Sequence, residues 1–217
     1  MSTADLTTRK PAIFAPRLAV RLFNLLQAYV ALTRDPDFIV GADSEGGPYL
    51  LRWYLTPWRR WQTALRDRAE HAPTWFNRTL ARVVGWLPNL YLHQFLRDDD
   101  DRALHDHPSW AASFILHGAY IEHTIADGGI HRRTKWAAGS FRVLGTRHAH
   151  RIELPQRVLR RHDGTVYGRV PVPTWTLFLF GPTVRDWGFH CPERGWVHWK
   201  EFTAAGRPGE IGKGCDA

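Results

Sequence analysis

The chain of 217 residues (25.0 kDa) is long enough for one sizeable domain and short for two. A hydrophobic fraction of 44% with 13% aromatics excludes wholesale disorder. Two cysteines, Cys191 and Cys215, exclude a disulfide-built scaffold or a cysteine-rich zinc ribbon, so nitrogen and oxygen must hold any metal. The balance of 29 Lys+Arg against 21 Asp+Glu gives +8, carried almost wholly by arginines spread along the chain rather than massed in one basic block. That spread disfavours nucleic-acid binding and suits a soluble arginine-biased surface.

Residues 1–10 are polar with no apolar core and cleavage site behind them, and no run approaches the roughly 18 apolar residues of a membrane span. The expected location is the cytoplasm, with membrane association open at the periphery. Residues 1–16 read as a flexible lead. Over 17–33, Leu18, Leu22, Leu25, Leu26, Tyr29 and Leu32 recur at helical spacing, predicting one amphipathic helix ended at Asp35-Pro36. A glycine- and acid-rich loop follows at 41–48, then a strand at 49–55. In 57–88 Trp58, Trp61, Trp75, Phe76 and Trp86 alternate with Arg59, Arg60, Arg66, Arg68, Arg78 and Arg82, predicting one or two helices ended at Pro88.

From residue 89 the pattern changes to short strands: 90–96, a long strand 113–123 around Gly118, 139–144, 149–154, and 174–180. In the last of these, Thr174, Thr176, Phe178 and Phe180 share one face. An aromatic segment closes the sequence at 187–202, and the tail 205–217 reads as disordered. Such strand spacing predicts a mainly β sandwich or barrel with N-terminal helices outside: a helical, Trp/Arg-rich layer over 17–88 and a core over 89–204 of one domain, 17–204.

The chemical signal is Leu104-His105-Asp106-His107-Pro108. On a strand, residues i and i+2 share a face, so His105 and His107 can aim at one ion. A second pair, His148 and His150, lies on another predicted strand. After each histidine the residue two along is neither Asp nor Glu, so the usual ligand pair of 2-oxoglutarate oxygenases is missing. The run Asp98 to Asp101 lacks the spaced ligands and glycine of a calcium loop and reads as a solvated turn.

The spacing resembles the cupin superfamily. His105-x-His107 is followed after three residues by Ala111, where the cupin motif has glutamate, and six further on by Gly118, where it has glycine. Counting from Gly139 puts His150 at the histidine of the second motif, while Gly145, Arg147 and Leu154 replace its proline, glycine and asparagine. Three histidines without the carboxylate resemble the thiol dioxygenases of the cysteine dioxygenase type. His105-Asp106-His107, Gly118 and Glu122-His123-Thr124 are similar to that branch's HDH…G…ET run, and His150-Arg151-Ile152-Glu153 to its HRVE. The position five beyond His107 is Ala112, so neither the crosslinking cysteine of the animal enzymes nor their thiol specificity carries over.

The resemblance implies a cupin-type β-barrel (double-stranded β-helix or jelly roll) with His105, His107 and His150 on one metal. Fe(II) is favoured, and three imidazoles suit Zn, Mn, Ni or Cu as well. It implies a mononuclear dioxygenase using O2 on a small polar substrate bearing a carboxylate or thiol. Arg52 or Arg142 would anchor the substrate carboxylate, Glu122 would be a fourth ligand or an orienting carboxylate, and His148 a base or alternative ligand; Asp106 and Glu153 are further orienting candidates. The alternatives are a cupin isomerase, lyase or hydrolase using Zn, Mn or Ni as Lewis acid, and a non-catalytic ligand-binding cupin. Trp187 to Cys191 is expected to pack at the barrel mouth. For the Trp/Arg-rich insert, internal packing, a homodimer contact and peripheral membrane association stay open, with nucleic acid disfavoured.

Overall fold

The structure is a computed structural model and describes residues 13–44, 46–99, 103–126, 129–206 and 212–215. In chain order the elements are β1 (Ile13–Phe14), α1 (Pro16–Leu26) with a π turn Gln27–Ala31, β2 (Phe38–Val40), β3 (Leu50–Tyr54), α2 (Trp58–His71) and α3 (Trp75–Gly85). Then come β4 (Asn89–Phe95), β5 (Leu104–His105), β6 (Ala111–His117), β7 (Ala119–Ala126), β8 (Ile130–Ala137) and β9 (Ser140–Leu144). The chain continues with β10 (Arg151–Glu153), β11 (Gln156–Arg160), β12 (Val166–Pro171), β13 (Thr174–Phe180), β14 (Gly188–Cys191), β15 (Gly195–His198) and α4 (Trp199–Phe202).

The fold is mainly β, a two-sheet barrel of the double-stranded β-helix kind. A seven-stranded sheet ordered β1-β9-β6-β13-β4-β3-β2 faces a three-stranded sheet ordered β10-β7-β8, and β11-β12 and β15-β14-β5 complete the strands. Period-2 alternation fixes what each face carries. Leu50, Phe95 and Ile115 point inward and pack on Tyr120, Ile152 and Leu154 from the opposite side. Their neighbours Trp53, Leu92, Leu116 and Trp175 point outward, where Leu22, Phe23, Leu26 and Val30 of α1 and its π turn cover them. Of the period read over 17–33, Leu22 and Leu26 lie on this stripe, whereas Leu18, Leu25, Tyr29 and Leu32 are exposed.

Several expectations change. The long strand 113–123 is two strands, because Gly118 takes φ +77 and passes the chain from one sheet to the other. A side chain there would meet Pro173 O and Thr174 Oγ1, each at 2.8 Å, so both the turn and the close approach need glycine. Ile13 and Phe14 pair with Phe141 and Ser140, so the end of the expected flexible lead belongs to the sheet; residues 1–12 lie outside the described ones. β2 and β3 join the main sheet beside β4, so residues 17–88 are not solely a helical layer. β8 and the hairpin β11-β12 were not foreseen; their exposed arginines, histidine and lysine hide the alternation.

The tail is not wholly disordered. Cys215 forms a disulfide with Cys191 of β14, and Gly212 N and Gly214 N donate to Phe202 O at 2.9 and 3.1 Å. Residues 207–211, 216 and 217 lie outside the described ones. Below this strap Phe189, Val197, Phe202 and Ala103 form a separate small core. Among the described residues no helix is long and apolar enough to cross a membrane.

Candidate metal centre

β5 ends at His105, and His107 lies in the loop beyond it, so the two histidines do not share a strand face as the spacing suggested. They converge because the backbone is pinned on both sides. His105 and His150 exchange two backbone hydrogen bonds of 2.9 Å in an isolated bridge. Asp106 between the two histidines is buried and accepts from Gly188 N (2.9 Å) and Trp196 Nε1 (3.1 Å), with the Arg185 guanidinium at 2.9 Å. Asp106 Oδ2 also lies 3.4 Å from His190 Nε2, but among the described residues it meets none of the rings of His105, His107 and His150; its carboxylate holds β14 and β15 against the HDH segment.

Donor nitrogens of His105, His107 and His150 lie within 4.8 Å of one another. His107 Nε2 and His150 Nε2 face each other at 2.9 Å. Burial, joined by the charges of neighbouring histidines and Arg142, keeps the His107 imidazole well below its usual pKa. Burial brings His150 down to about 4, although the Glu122 carboxylate pulls the other way. Both rings are therefore neutral at pH 7, the charge state a metal needs of its imidazole ligands. One ion about 2.1 Å from each nitrogen requires ligand atoms within about 4.2 Å of one another, so small ring rotations bring these residues onto it. The three imidazoles fit a metal.

Glu122, on β7, is buried and holds a second group of side chains. Its Oε1 meets His148 Nε2 at 2.7 Å and the Arg142 guanidinium, and lies 2.8 Å from His150 Nδ1, off the line of a hydrogen bond. Its Oε2 accepts from Trp136 Nε1 at 2.9 Å. Burial alone would raise the carboxyl pKa, but the contacts from His148 and His150 and the Arg142 charge outweigh it and keep the group ionised far below the carboxylate range. Arg142 also donates to Tyr120 Oη at 3.2 Å. Glu122, His148 and His150 form a second donor set that shares His150 with the first. His148 lies in the loop before His150 and not on a strand.

The other expected site residues part company. Glu153 pairs with His123 (2.7 Å) and Arg133 (3.0 Å), apart from the three histidines. Arg52 donates from Nε to His93 Nε2 at 2.8 Å and lies over the rings of Tyr91 and Phe38. The order β9-β6-β13-β4-β3 puts three strands between Arg142 and Arg52, so the sheet does not set them side by side. Arg142 is committed to Glu122, whereas no carboxylate pairs with Arg52 among the described residues. Phe189 of the Trp187–Cys191 segment packs in the small core with its ring 6.1 Å from that of His105.

Two residues near the site carried little signal in the sequence. Asp99 accepts from Ile152 N at 2.7 Å and sits 3.8 Å from His105 Nδ1, and Asp98 accepts from Leu154 N at 2.6 Å. This part of the acidic run is a clamp on β10, not a solvated turn; Asp100 and Asp101 lie outside the described residues. Tyr120 and Glu122, two apart on β7, point into the same interior, and that spacing was the one available clue.

With the fold and the cluster in view, the chain is a mainly β barrel holding a buried histidine–carboxylate site. No protein-family model matches its sequence, and no curated protein matches it. Among solved structures it is similar to oxalate decarboxylase of Bacillus subtilis, described for its Mn(II) centres (14% identity, 73% of this chain, 30% of that chain, TM-score 0.38). It is also similar to procruciferin, an 11S globulin of Brassica napus (7%, 66%, 28%, TM-score 0.36). A third is an uncharacterized protein of Klebsiella pneumoniae with a double-stranded β-helix domain (14%, 47%, 69%, TM-score 0.31). The chain spans about a third of the decarboxylase's length, and at these scores nothing about the site follows from the likeness.

Proposed function

We propose that this protein is a mononuclear metal-dependent oxygenase of the cupin kind, with His105, His107 and His150 holding Fe(II). The observation that carries this reading is His150, which offers Nε2 toward His107 while its Nδ1 lies against Glu122. Metal-bound imidazoles commonly give their other ring nitrogen to a carboxylate, which fixes the tautomer and strengthens the donor. A small turn of the His150 ring from its 2.8 Å approach would align Nδ1 on Glu122 in that way. In this reading Glu122 orients His150 rather than binding the ion, and Arg142 and Trp136 keep Glu122 in place.

A three-histidine iron leaves coordination positions for substrate and dioxygen, and that is the chemistry the ion supplies. The substrate is a small polar molecule with a carboxylate or thiol. Arg52, a guanidinium on the barrel's inner face without a carboxylate partner among the described residues, attracts the anionic end. His148 is partly exposed and donates from Nε2 to the Glu122 carboxylate, which leaves its Nδ1 to accept a hydrogen bond from the substrate. A second reading is favoured by the other donor set. Glu122, His148 and His150 supply a carboxylate oxygen, which suits Mn acting as a Lewis acid in a lyase, isomerase or hydrolase.

Metal analysis with oxygen-uptake measurements on thiols and amino acids tests the proposal. Near-stoichiometric iron with substrate-dependent O2 uptake is expected. Manganese or zinc without O2 uptake would sink the oxygenase reading, and a His105→Ala protein that kept its full metal content would overturn the ligand set.

A further inference from the structure

The helices α2 and α3 leave the barrel between β3 and β4 and return to it through a small polar anchor. Gln62 Nε2 donates to Val84 O (3.1 Å) and Leu87 O (2.9 Å), and Asn89 Nδ2 donates to Gln62 Oε1 (3.0 Å). Arg60 pairs with Asp37. Otherwise the helices pack chiefly on each other, and Gln62 and Asn77 are the buried residues of the pair.

At 3.6 residues per turn, Trp75, Phe76, Thr79, Val83 and Trp86 fall in one arc of about 100° along α3 and its end. On the opposite side Asn77, Ala81 and Val84 are buried or half-buried. The apolar stripe thus points away from the protein: Trp75 is 79% exposed, Phe76 61%, Val83 61% and Trp86 64%. Trp61 on α2, in edge contact with Trp58, is half-exposed as well. Arg78 and Arg82 flank the stripe on one side. Residues 57–88 carry six arginines against two acids, Asp67 and Glu70.

A short helix with Trp, Phe and Val on one face, arginines beside them and a net positive charge has the composition of a helix that lies in a membrane interface. Indole rings settle among headgroups, and guanidiniums meet lipid phosphates. A second copy of the chain is the poorer occupant, because two such faces would bring their arginines together and repel.

We propose that the Trp75–Phe76–Val83–Trp86 stripe of α3 docks the protein on an anionic lipid surface, with Arg78 and Arg82 on the phosphates. The barrel and its histidines then stay in water, held to the surface through the α2–α3 hairpin.

Co-sedimentation of the full chain with vesicles tests this. Binding to phosphatidylcholine–phosphatidylserine vesicles at low salt is expected, weaker by on the order of ten-fold with phosphatidylcholine alone or at high salt. Trp75→Ser with Trp86→Ser, and separately Arg78→Glu with Arg82→Glu, should each reduce binding by on the order of ten-fold or more, with circular dichroism and metal content unchanged. Failure to bind anionic vesicles at low salt, equal binding to neutral vesicles, or wild-type binding by both double variants would overturn the proposal. So would a lipid-free dimer in sedimentation velocity that the tryptophan pair dissolves while vesicle binding is absent.

Discussion

His150 offers its two ring nitrogens to different partners: Nε2 stands 2.9 Å from His107 Nε2, and Nδ1 stands 2.8 Å from Glu122 Oε1. The same imidazole therefore ends the histidine triad and begins the carboxylate cluster. Glu122→Gln keeps the shape but loses the charge that fixes the ring, and should weaken metal binding by about 10–100-fold. His150→Ala should abolish it. Titration of the apo protein with metal, followed by competition with a chelator, measures both. If Glu122→Gln bound metal like the wild type, the carboxylate would have no part in the site.

Gly118→Ala tests the crossing between sheets. The new methyl must accept φ near +77 and push on Pro173 O and Thr174 Oγ1. The left-handed conformation and the overpacking together should cost about 2–4 kcal/mol. Urea unfolding followed by circular dichroism gives the figure, and a loss below the level of an ordinary surface change would contradict the role assigned to this glycine.

His93 makes stability depend on pH. Its ring is buried between Phe178 and Tyr91, Nε2 accepts from Arg52, and Nδ1 is a buried atom without a hydrogen-bond partner among the described residues. Burial, reinforced by the Arg52 charge, sets its pKa well below 6.5. The unfolded chain takes up this proton on acidification and the native chain does not, so the stability is complete above pH 6.5 and is lost as pH falls below it. The loss between pH 7 and pH 5 should reach about 2 kcal/mol. In His93→Gln the slope over that range should flatten by a similar amount, as read from melting curves across pH.

The Cys191–Cys215 bond closes a segment with a sequence separation of 24. Constraining a loop of that length restricts the unfolded chain, and Cys191→Ser should cost about 3 kcal/mol. Limited proteolysis should then cut after Phe202, since the tail loses its one covalent tie to β14. Unchanged stability together with unchanged cleavage would show that the hydrogen bonds to Phe202 O hold the tail alone.

Parts of this architecture were legible in single residues. The 3.6-residue period marked α1, and of the residues that carried it Leu22 and Leu26 cover the sheet face while Leu18, Leu25, Tyr29 and Leu32 lie exposed. The alternation of Thr174, Thr176 and Phe178 marked β13, since a strand central in its sheet must show two faces. β8 was silent: Arg132, Arg133 and Lys135 lie exposed, and a strand with one solvated face leaves few apolar residues to count.

The sequence by itself determined that the protein is mainly β, because strand alternation is a local property; the His105-x-His107 spacing marked two donors, and the resemblance to the cupin motif marked His150 as the third. Tertiary structure alone decided why they meet: a two-residue strand, a backbone bridge and the buried clasp of Asp106 on Gly188. It also turned Glu122 toward His150, committed Arg142 and, among the described residues, left Arg52 without a carboxylate. Period and composition record which face of an element is apolar. What covers that face depends on residues far away in the chain, and for the stripe on α3 none of the described residues of the barrel does.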